Sequence, residues 1–240
     1  MASVTTVHQR FYDASLPPIT LELLNLASLT VKSVSDLIAT LDSEARLGVA
    51  ASYGSKRVLE TLAFSTETRV LMIIFNADSR RANNQKRILR KELLCNLSLE
   101  KHGFFMERIA AALHLDLGLG ICNAFDITSN GDKRGSMASF KAVIVRGKTQ
   151  YSVEEPVVEK IFAEQSFIHS RKSEFALRAW ACYVGVQGLP SKPGAIDTLV
   201  KGAEVRSTLL ITFGFYPTSL PHRSWNGCAN VSAMPIVWTP

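Results

Sequence analysis

Three apolar segments in quick succession are the feature that most constrains how this chain can fold. They cover residues 47–53, 57–64 and 69–75, and the linkers between them are about four residues or shorter. Because parallel strands need a long crossover connection, linkers this short predict an antiparallel three-strand meander. The third segment is apolar without a break, which is typical of a strand buried on both faces.

Segments with helical periodicity surround the meander. We predict helices from about residue 33 to residue 44 and over residues 80–97, 106–115, 153–163 and 173–186. We predict further strands over residues 98–104, 119–122, 140–145 and 208–215, and residues 20–29 fit either type. This order predicts an α/β fold in which the meander and further strands form a mixed sheet flanked by helices.

The prolines suggest how the chain is divided. Leu16-Pro17-Pro18 cannot be helical and precedes the first predicted helix. The last 25 residues contain four of the nine prolines, which predicts an irregular, extended tail. We therefore predict an N-terminal extension over residues 1–32, a core over 33–187, and a C-terminal strand and tail over 188–240.

The composition excludes several classes of protein. The chain has 240 residues, 47% of them hydrophobic, which is too apolar for a disordered protein. The longest apolar stretches have about six residues, whereas a membrane span needs about 20. The start of the chain does not read as a secretory signal, and the four cysteines are widely spaced. We expect a cytoplasmic or nuclear protein with reduced thiols, no transmembrane segment, no metal site and no cofactor.

Five segments occur in the order found in a known family. They are residues 47–53, 62–71, 93–104, 117–127 and 174–183. Together they resemble the 3′–5′ exonuclease domain of the ribonuclease D type, over about residues 33–187. The resemblance implies a ribonuclease-H-like fold. It also implies a mechanism in which four carboxylates hold two Mg²⁺ or Mn²⁺ ions that activate water.

The chain departs from this family where the family has its catalytic groups. The four carboxylate positions, and the position of the tyrosine or histidine that orients water, fall on residues that cannot bind a metal ion or transfer a proton as the family's groups do. In the order of the motifs they are Ala50, Ser52, Ile109 or Ala110, Ala179 and, for the water-orienting group, Phe175. The alignment therefore predicts a catalytically degenerate domain with no catalytic residues and no metal ligands.

The remaining carboxylates offer weaker candidates. Asp42 and Glu44 form an Asp-x-Glu pair, but they precede the first strand, and we interpret them as a solvated helix end. Asp126 follows a strand candidate, at a position where the family has an aspartate with a mostly structural role. Asp116, Asp126 and Asp132 could cluster with the Asp-x-Glu pair, and Asp126 is the best placed of the three.

Six positive charges lie within twelve residues and give the only binding site that the sequence predicts. They are Arg80, Arg81, Lys86, Arg87, Arg90 and Lys91. On a helix their faces overlap, and such a face can follow the phosphates of RNA or single-stranded DNA. The same charges suit the solvated face of an amphipathic helix, which is the more common arrangement.

Three functional hypotheses remain open from the sequence. The first is a degenerate exonuclease-like domain that binds nucleic acid or a protein partner. The second is a viral structural or interaction protein of the coat, matrix or movement type, which would bind RNA and self-associate. The third is an active metal-dependent nuclease with displaced carboxylates. The missing motif carboxylates favour a role without catalysis.

Overall fold

A computed structural model describes residues 3–8, 17–54, 56–76, 79, 81–127, 161 and 172–187 of the chain. Several sequence predictions fall outside these residues. They are the strands over 140–145 and 208–215, the proline-rich tail, Asp132, Arg80, and the helix over 153–163 apart from Ile161.

The described residues form seven strands and four main helices. The strands are β1 (Ser3–Val7), β2 (Ile19–Asn25), β3 (Arg46–Tyr53), β4 (Leu59–Ser65), β5 (Arg69–Ile74), β6 (Glu100–Gly103) and β7 (Ala124–Asp126). The helices are α1 (Val31–Ile38), α2 (Asn83–Ile88, continuing as a π-helical turn over Leu89–Leu94), α3 (Met106–Leu117) and α4 (Lys172–Gln187).

All seven strands belong to one mixed sheet with the order β1-β2-β5-β4-β3-β6-β7. Strands β3, β4 and β5 pair antiparallel, which confirms the predicted meander. Strand β2 runs parallel to β5, and β1 pairs antiparallel with β2 at the edge. On the other side, β6 runs parallel to β3 and β7 runs parallel to β6. The predicted α/β fold with a mixed sheet is therefore confirmed.

The first helix was predicted with wrong ends. Helix α1 begins at Val31, because the Thr30 side chain accepts a hydrogen bond of 3.1 Å from the Ser33 amide and caps the helix there. It ends at Ile38, and the residues up to Glu44 form turns instead of a further helical turn.

The strand predicted over residues 119–122 is also wrong. Gly118 ends α3 with a φ of 67°, and the Leu119 amide then donates to the carbonyl of Leu113 at 3.0 Å. The run that follows is a connection in which Leu119 is buried in the core, while Ile121 and Cys122 are partly exposed. The strand itself forms later, over Ala124–Asp126.

The sheet separates two apolar layers. The alternation along β3 shows this division, since Leu47 and Val49 face one layer and Ala50 faces the other. Helices α1, α2 and α3 pack on the layer that contains Leu47. Helix α4 packs on the opposite layer. The basic helix α2 and helix α4 therefore lie on opposite faces of the sheet.

Candidate functional site

Helix α4 is in direct backbone contact with β3. A Cβ atom added to Gly48 would lie 2.1 Å from the carbonyl oxygen of Ala179 and 2.5 Å from the amide nitrogen of Tyr183. Only glycine permits an approach this close. The contact fixes where α4 lies across the strand that would carry the first exonuclease motif.

Three of the positions at which the family has catalytic groups meet in one apolar layer. Ala50 on β3 is 3% exposed, and Ala179 and Phe175 on α4 are 0% and 6% exposed. All three belong to the core between the sheet and α4. Ile109 is buried in the layer on the other side of the sheet, and Ala110 is partly exposed. At these three positions of the sequence alignment the structure has packed methyl groups and a phenyl ring.

Ser52, the second position of the first motif, faces the same layer as Ala50. Its partner in the register of β4 is Thr61, and both side chains are buried. Neither hydroxyl oxygen has a hydrogen-bond partner. The hydroxyl groups of Ser52 and Thr61 are neutral and supply no carboxylate that could bind a metal ion. Within the described residues, no group of three or more His, Cys, Asp or Glu side chains is placed to hold a metal ion.

Two of the remaining carboxylates hold the backbone of neighbouring elements. Asp126 accepts a hydrogen bond of 2.8 Å from the Met106 amide at the start of α3. Asp116 accepts one of 2.7 Å from the Leu59 amide at the start of β4. These bonds satisfy amides that the helix or the sheet leaves open.

Asp42 connects the start of β3 to the end of α4. Its Oδ2 accepts hydrogen bonds from the side-chain amide of Gln187 at 2.7 Å and from the hydroxyl of Tyr183 at 3.2 Å. Partial burial alone would raise the pKa of Asp42. The hydrogen bonds from Gln187, from the Arg46 amide and from Tyr183 outweigh burial and lower this pKa. The Asp42 carboxylate thus links the start of β3 to Tyr183 and Gln187 on α4.

Arg46 lies next to Asp42 and extends this network. The guanidinium is buried and donates to the carbonyl of Val186 on α4 at 3.0 Å. It forms an ion pair with Glu44, and its Nε lies 3.6 Å from Glu100 on β6. The Asp-x-Glu pair therefore serves as a clasp between α4 and the sheet, and it does not converge with Asp126 as a metal site.

His102 completes the network on β6 and was not singled out by sequence reasoning. Its Nε2 donates to Glu100 at 3.1 Å, and its ring stacks on Phe125 with centroids 5.0 Å apart. Burial lowers the pKa of His102 more than Glu100 raises it. The hydrogen bond from His102 lowers the pKa of Glu100. The Glu-x-His spacing could have indicated the pair, because alternate residues of a strand share one face.

Lys101 is a second buried cation that the sequence did not indicate. Its side chain is 0% exposed. The Nζ atom donates to three carbonyl oxygens, those of Asn96, Leu99 and Cys122, at 2.6, 2.8 and 2.8 Å. These bonds satisfy all three donors of the ammonium group. Lys101 thereby joins the end of α2 to the connection between α3 and β7.

The predicted basic residues lie on the outer side of α2 and just before it. Arg81, Arg87 and Lys91 are exposed, whereas Lys86 and Arg90 are partly exposed. The inner side of the helix packs on the core through Leu89, Leu93 and Leu94. The Nζ atom of Lys91 lies 3.5 Å from the Oε1 atom of Glu92, and the Lys91 side chain is highly exposed. The helix is amphipathic, and nucleic-acid binding by these residues stays a prediction.

No helix within the described ranges has both the length and the hydropathy needed to cross a membrane.

Comparison with known proteins gives matches at the level of structure. No protein-family model matches the chain, and no curated protein matches it in sequence. Among solved structures, the complex of Trypanosoma brucei RNase D with GMP superposes with a TM-score of 0.51 and 9% identity, over 83% of this chain and 66% of that one. The chain thus spans slightly less than two thirds of that enzyme.

Two further solved structures have lower TM-scores. The catalytic core of RRP6 from Trypanosoma brucei has a TM-score of 0.42 and 15% identity, with 87% of this chain and 52% of that chain covered. NrnC from Brucella melitensis has a TM-score of 0.40 and 12% identity, with 70% and 81% covered. The chain has the fold of the 3′–5′ exonuclease domains, the ribonuclease-H-like α/β fold that its sequence motifs predicted.

Proposed function

We propose that this chain is a catalytically degenerate 3′–5′ exonuclease-like domain that binds RNA or single-stranded DNA without cleaving it. The observation that carries the proposal is the apolar packing of Ala50, Phe175 and Ala179 at positions where the family places two carboxylates and its water-orienting group.

The chemistry of metal binding explains why this packing matters. Mg²⁺ and Mn²⁺ require oxygen ligands, and a methyl group or a phenyl ring supplies none. Asp42 and Asp126, the described carboxylates considered as replacements, are already engaged, since Asp42 binds Gln187 and Asp126 accepts a bond from the Met106 amide. Moving either one toward a metal ion would break a contact that positions α4 or α3.

The basic surface of α2 supports the binding part of the proposal. Its exposed charges are carried by a helix whose inner side is anchored in the core. The chain also has an excess of positive charge, with 27 Lys and Arg against 21 Asp and Glu. Phosphate contacts of this kind give binding that is independent of sequence and weakens as salt rises.

One gel series tests both parts. The purified chain is incubated with labelled single-stranded RNA and DNA, in Mg²⁺, in Mn²⁺ and in EDTA, and both retention and product length are read. We expect retention that fades with added salt and full-length product under every condition. Shortening from the 3′ end that EDTA abolishes would refute degeneracy and favour an active nuclease with displaced carboxylates. Absence of retention at low salt would refute nucleic-acid binding.

A further inference from the structure

Two cysteines occupy neighbouring segments on the α2 side of the sheet. Cys95 follows the π-helical turn that ends α2, and Cys122 lies in the connection between α3 and β7. Both are reduced and partly exposed, whereas Cys182 on α4 is reduced and buried. A small oxidant in solution can therefore reach the first two thiols and not the third.

Direct contacts join the two segments at these cysteines. The Cys122 amide donates to the carbonyl of Leu94 at 2.9 Å, and the Cys95 sulfur lies 3.5 Å from the carbonyl oxygen of Gly120. The Leu94 carbonyl and the Cys95 amide belong to one peptide unit, so this hydrogen bond brings the backbone of Cys95 beside that of Cys122. A disulfide needs Cα atoms about 4.4 to 6.8 Å apart. The hydrogen-bonded contact brings the two Cα atoms near this range, and the Cys95 sulfur lies against the segment that carries Cys122.

The buried ammonium of Lys101 holds the two segments in this arrangement. It donates to the carbonyl of Asn96, which follows Cys95, and to the carbonyl of Cys122 itself. A separation between the segments would leave one of these buried groups without its partner, which is costly. The two cysteines are thus held next to each other by a contact that does not involve their sulfur atoms.

We propose that Cys95 and Cys122 form a reversible disulfide by exchange with small-molecule disulfides such as oxidised glutathione. One thiol loses its proton and attacks a glutathione sulfur, which forms a mixed disulfide and releases one glutathione thiolate. The second thiol loses its proton and attacks the protein sulfur of that mixed disulfide. This forms the Cys95–Cys122 bond and releases a second glutathione, and the two protons end on the two glutathione thiols.

The bond would tie the end of α2 to the connection between α3 and β7. It would close a covalent loop over residues 95–122, which contains β6 and α3. Reversible disulfides of this kind in cytosolic proteins are usually redox-sensing ones. This inference does not depend on nucleic-acid binding and stands or falls separately.

Peptide mapping of the oxidised full chain tests the proposal. The reduced protein, as the natural sequence and as a Cys228→Ser variant, is treated with oxidised glutathione, alkylated and digested with trypsin without reduction. We expect a linked pair of peptides, residues 92–101 and 109–133, in both proteins, and its loss on later treatment with dithiothreitol. Cys95→Ser and Cys122→Ser should each abolish the linked pair.

Cys182→Ser provides the matched control. Burial raises the pKa of Cys182 to about 12, so this thiol should take no part, and the linked pair should form unchanged. The proposal would be overturned if Cys95 and Cys122 carried only separate glutathione adducts. It would equally be overturned if the bond that formed joined either of them to Cys182 or, in the natural sequence, to Cys228.

Discussion

Helices α4 and α2 lie on opposite faces of one sheet and are held there in different ways. Helix α4 approaches β3 until backbone touches backbone at Gly48, and most of its side chains are buried. Helix α2 and its π-helical turn contact the core mainly through Leu89, Leu93 and Leu94, and they keep their charges in solvent. The α4 face should therefore tolerate almost no added volume, while the α2 face should tolerate exchange of its outer residues. The positions that the sequence alignment assigns to the family's catalytic groups fall largely on the first face, and the predicted phosphate contacts fall on the second.

Gly48→Ala should have the largest effect, because the new methyl group would meet backbone atoms that cannot rotate away. Overpacking of a core typically costs about 1 to 3 kcal/mol, and a backbone clash belongs at the upper end. We expect the free energy of unfolding to fall by about 3 kcal/mol in urea denaturation.

Gly120→Ala is the control for this change, since nothing lies within 4 Å of its added Cβ. Its effect should stay within about 0.5 kcal/mol, as for other surface substitutions. Equal effects of the two substitutions would show that α4 does not touch β3 at Gly48.

Lys101→Met should have the second largest effect on stability. The variant keeps the apolar stem but removes the ammonium donor from three carbonyl oxygens. The carbonyl of Leu99 keeps a bond from the Asn123 side chain and that of Asn96 one from the Leu99 amide, whereas Cys122 loses its ammonium partner. A buried acceptor that loses its partner costs about 1 to 3 kcal/mol. We expect a loss of about 2 kcal/mol, measured by thermal and urea unfolding.

Lys91→Met removes the same charge from an exposed side chain on the basic helix and should change stability by less than about 0.5 kcal/mol. If the two variants were equally stable, the cation buried at the end of α2 would not be structural.

The stability of the protein should depend on pH, because His102, Glu100 and Asp42 all have shifted pKa values. Burial lowers the pKa of His102 below its ordinary value of 6.5, so the unfolded chain binds more protons than the native state once the pH falls below about that value. Stability should therefore fall as the pH drops through this range. The charged groups that face His102 are Glu100, Arg46 and Asp42. Two of them, Glu100 and Asp42, have lowered pKa values and add a further loss at lower pH.

His102→Gln tests this assignment, because glutamine can donate to Glu100 and does not titrate. Urea denaturation at a series of pH values should show a shallower decline for the variant than for the natural sequence between about pH 7 and pH 5.5. The decline at lower pH, caused by Asp42 and Glu100, should remain. If the stabilities of the variant and the natural sequence declined in parallel between about pH 7 and pH 5.5, His102 would not be the cause of the decline.

The sequence predicted the parts of the fold that depend on local patterns. The meander follows from short linkers between apolar segments, and α3 and α4 follow from apolar residues at helical spacing, so their positions were predicted closely. The contact between Gly48 and Ala179 joins segments far apart in the chain and leaves no local pattern. The parallel pairing of β2 with β5 is also long-range, which is why residues 20–29 could be read as either type.

The site was predictable to the extent that it depends on missing groups. Carboxylates absent from the motifs can be seen in a sequence, and the burial of Ala50, Phe175 and Ala179 is what their apolar side chains predict. That the domain binds no metal ion stays a prediction. The bonds from Asp42 and Arg46 to α4 could not be predicted, because their partners Val186, Tyr183 and Gln187 lie far away in the chain.

Substitution of the exposed basic residues of α2 should have the smallest effect on stability and the largest effect on nucleic-acid binding. The triple variant Arg81→Gln, Arg87→Gln, Lys91→Gln removes three exposed charges, and its unfolding free energy should stay within about 0.5 kcal/mol of the natural sequence. The triple variant Lys56→Gln, Arg57→Gln, Lys172→Gln removes the same net charge from other surfaces and is the matched control.

Affinity for single-stranded RNA, measured by fluorescence anisotropy over a range of salt, separates the two variants. Each lost phosphate contact should reduce the slope of log affinity against log salt by about 0.7. We expect affinity at low salt to fall roughly tenfold or more for the α2 variant, and much less for the control. Equal losses would mean that net charge alone attracts the RNA. A normal salt slope in the α2 variant would place the phosphate contacts elsewhere, because a helix anchored only by its apolar side loses no structure when its outer charges are removed.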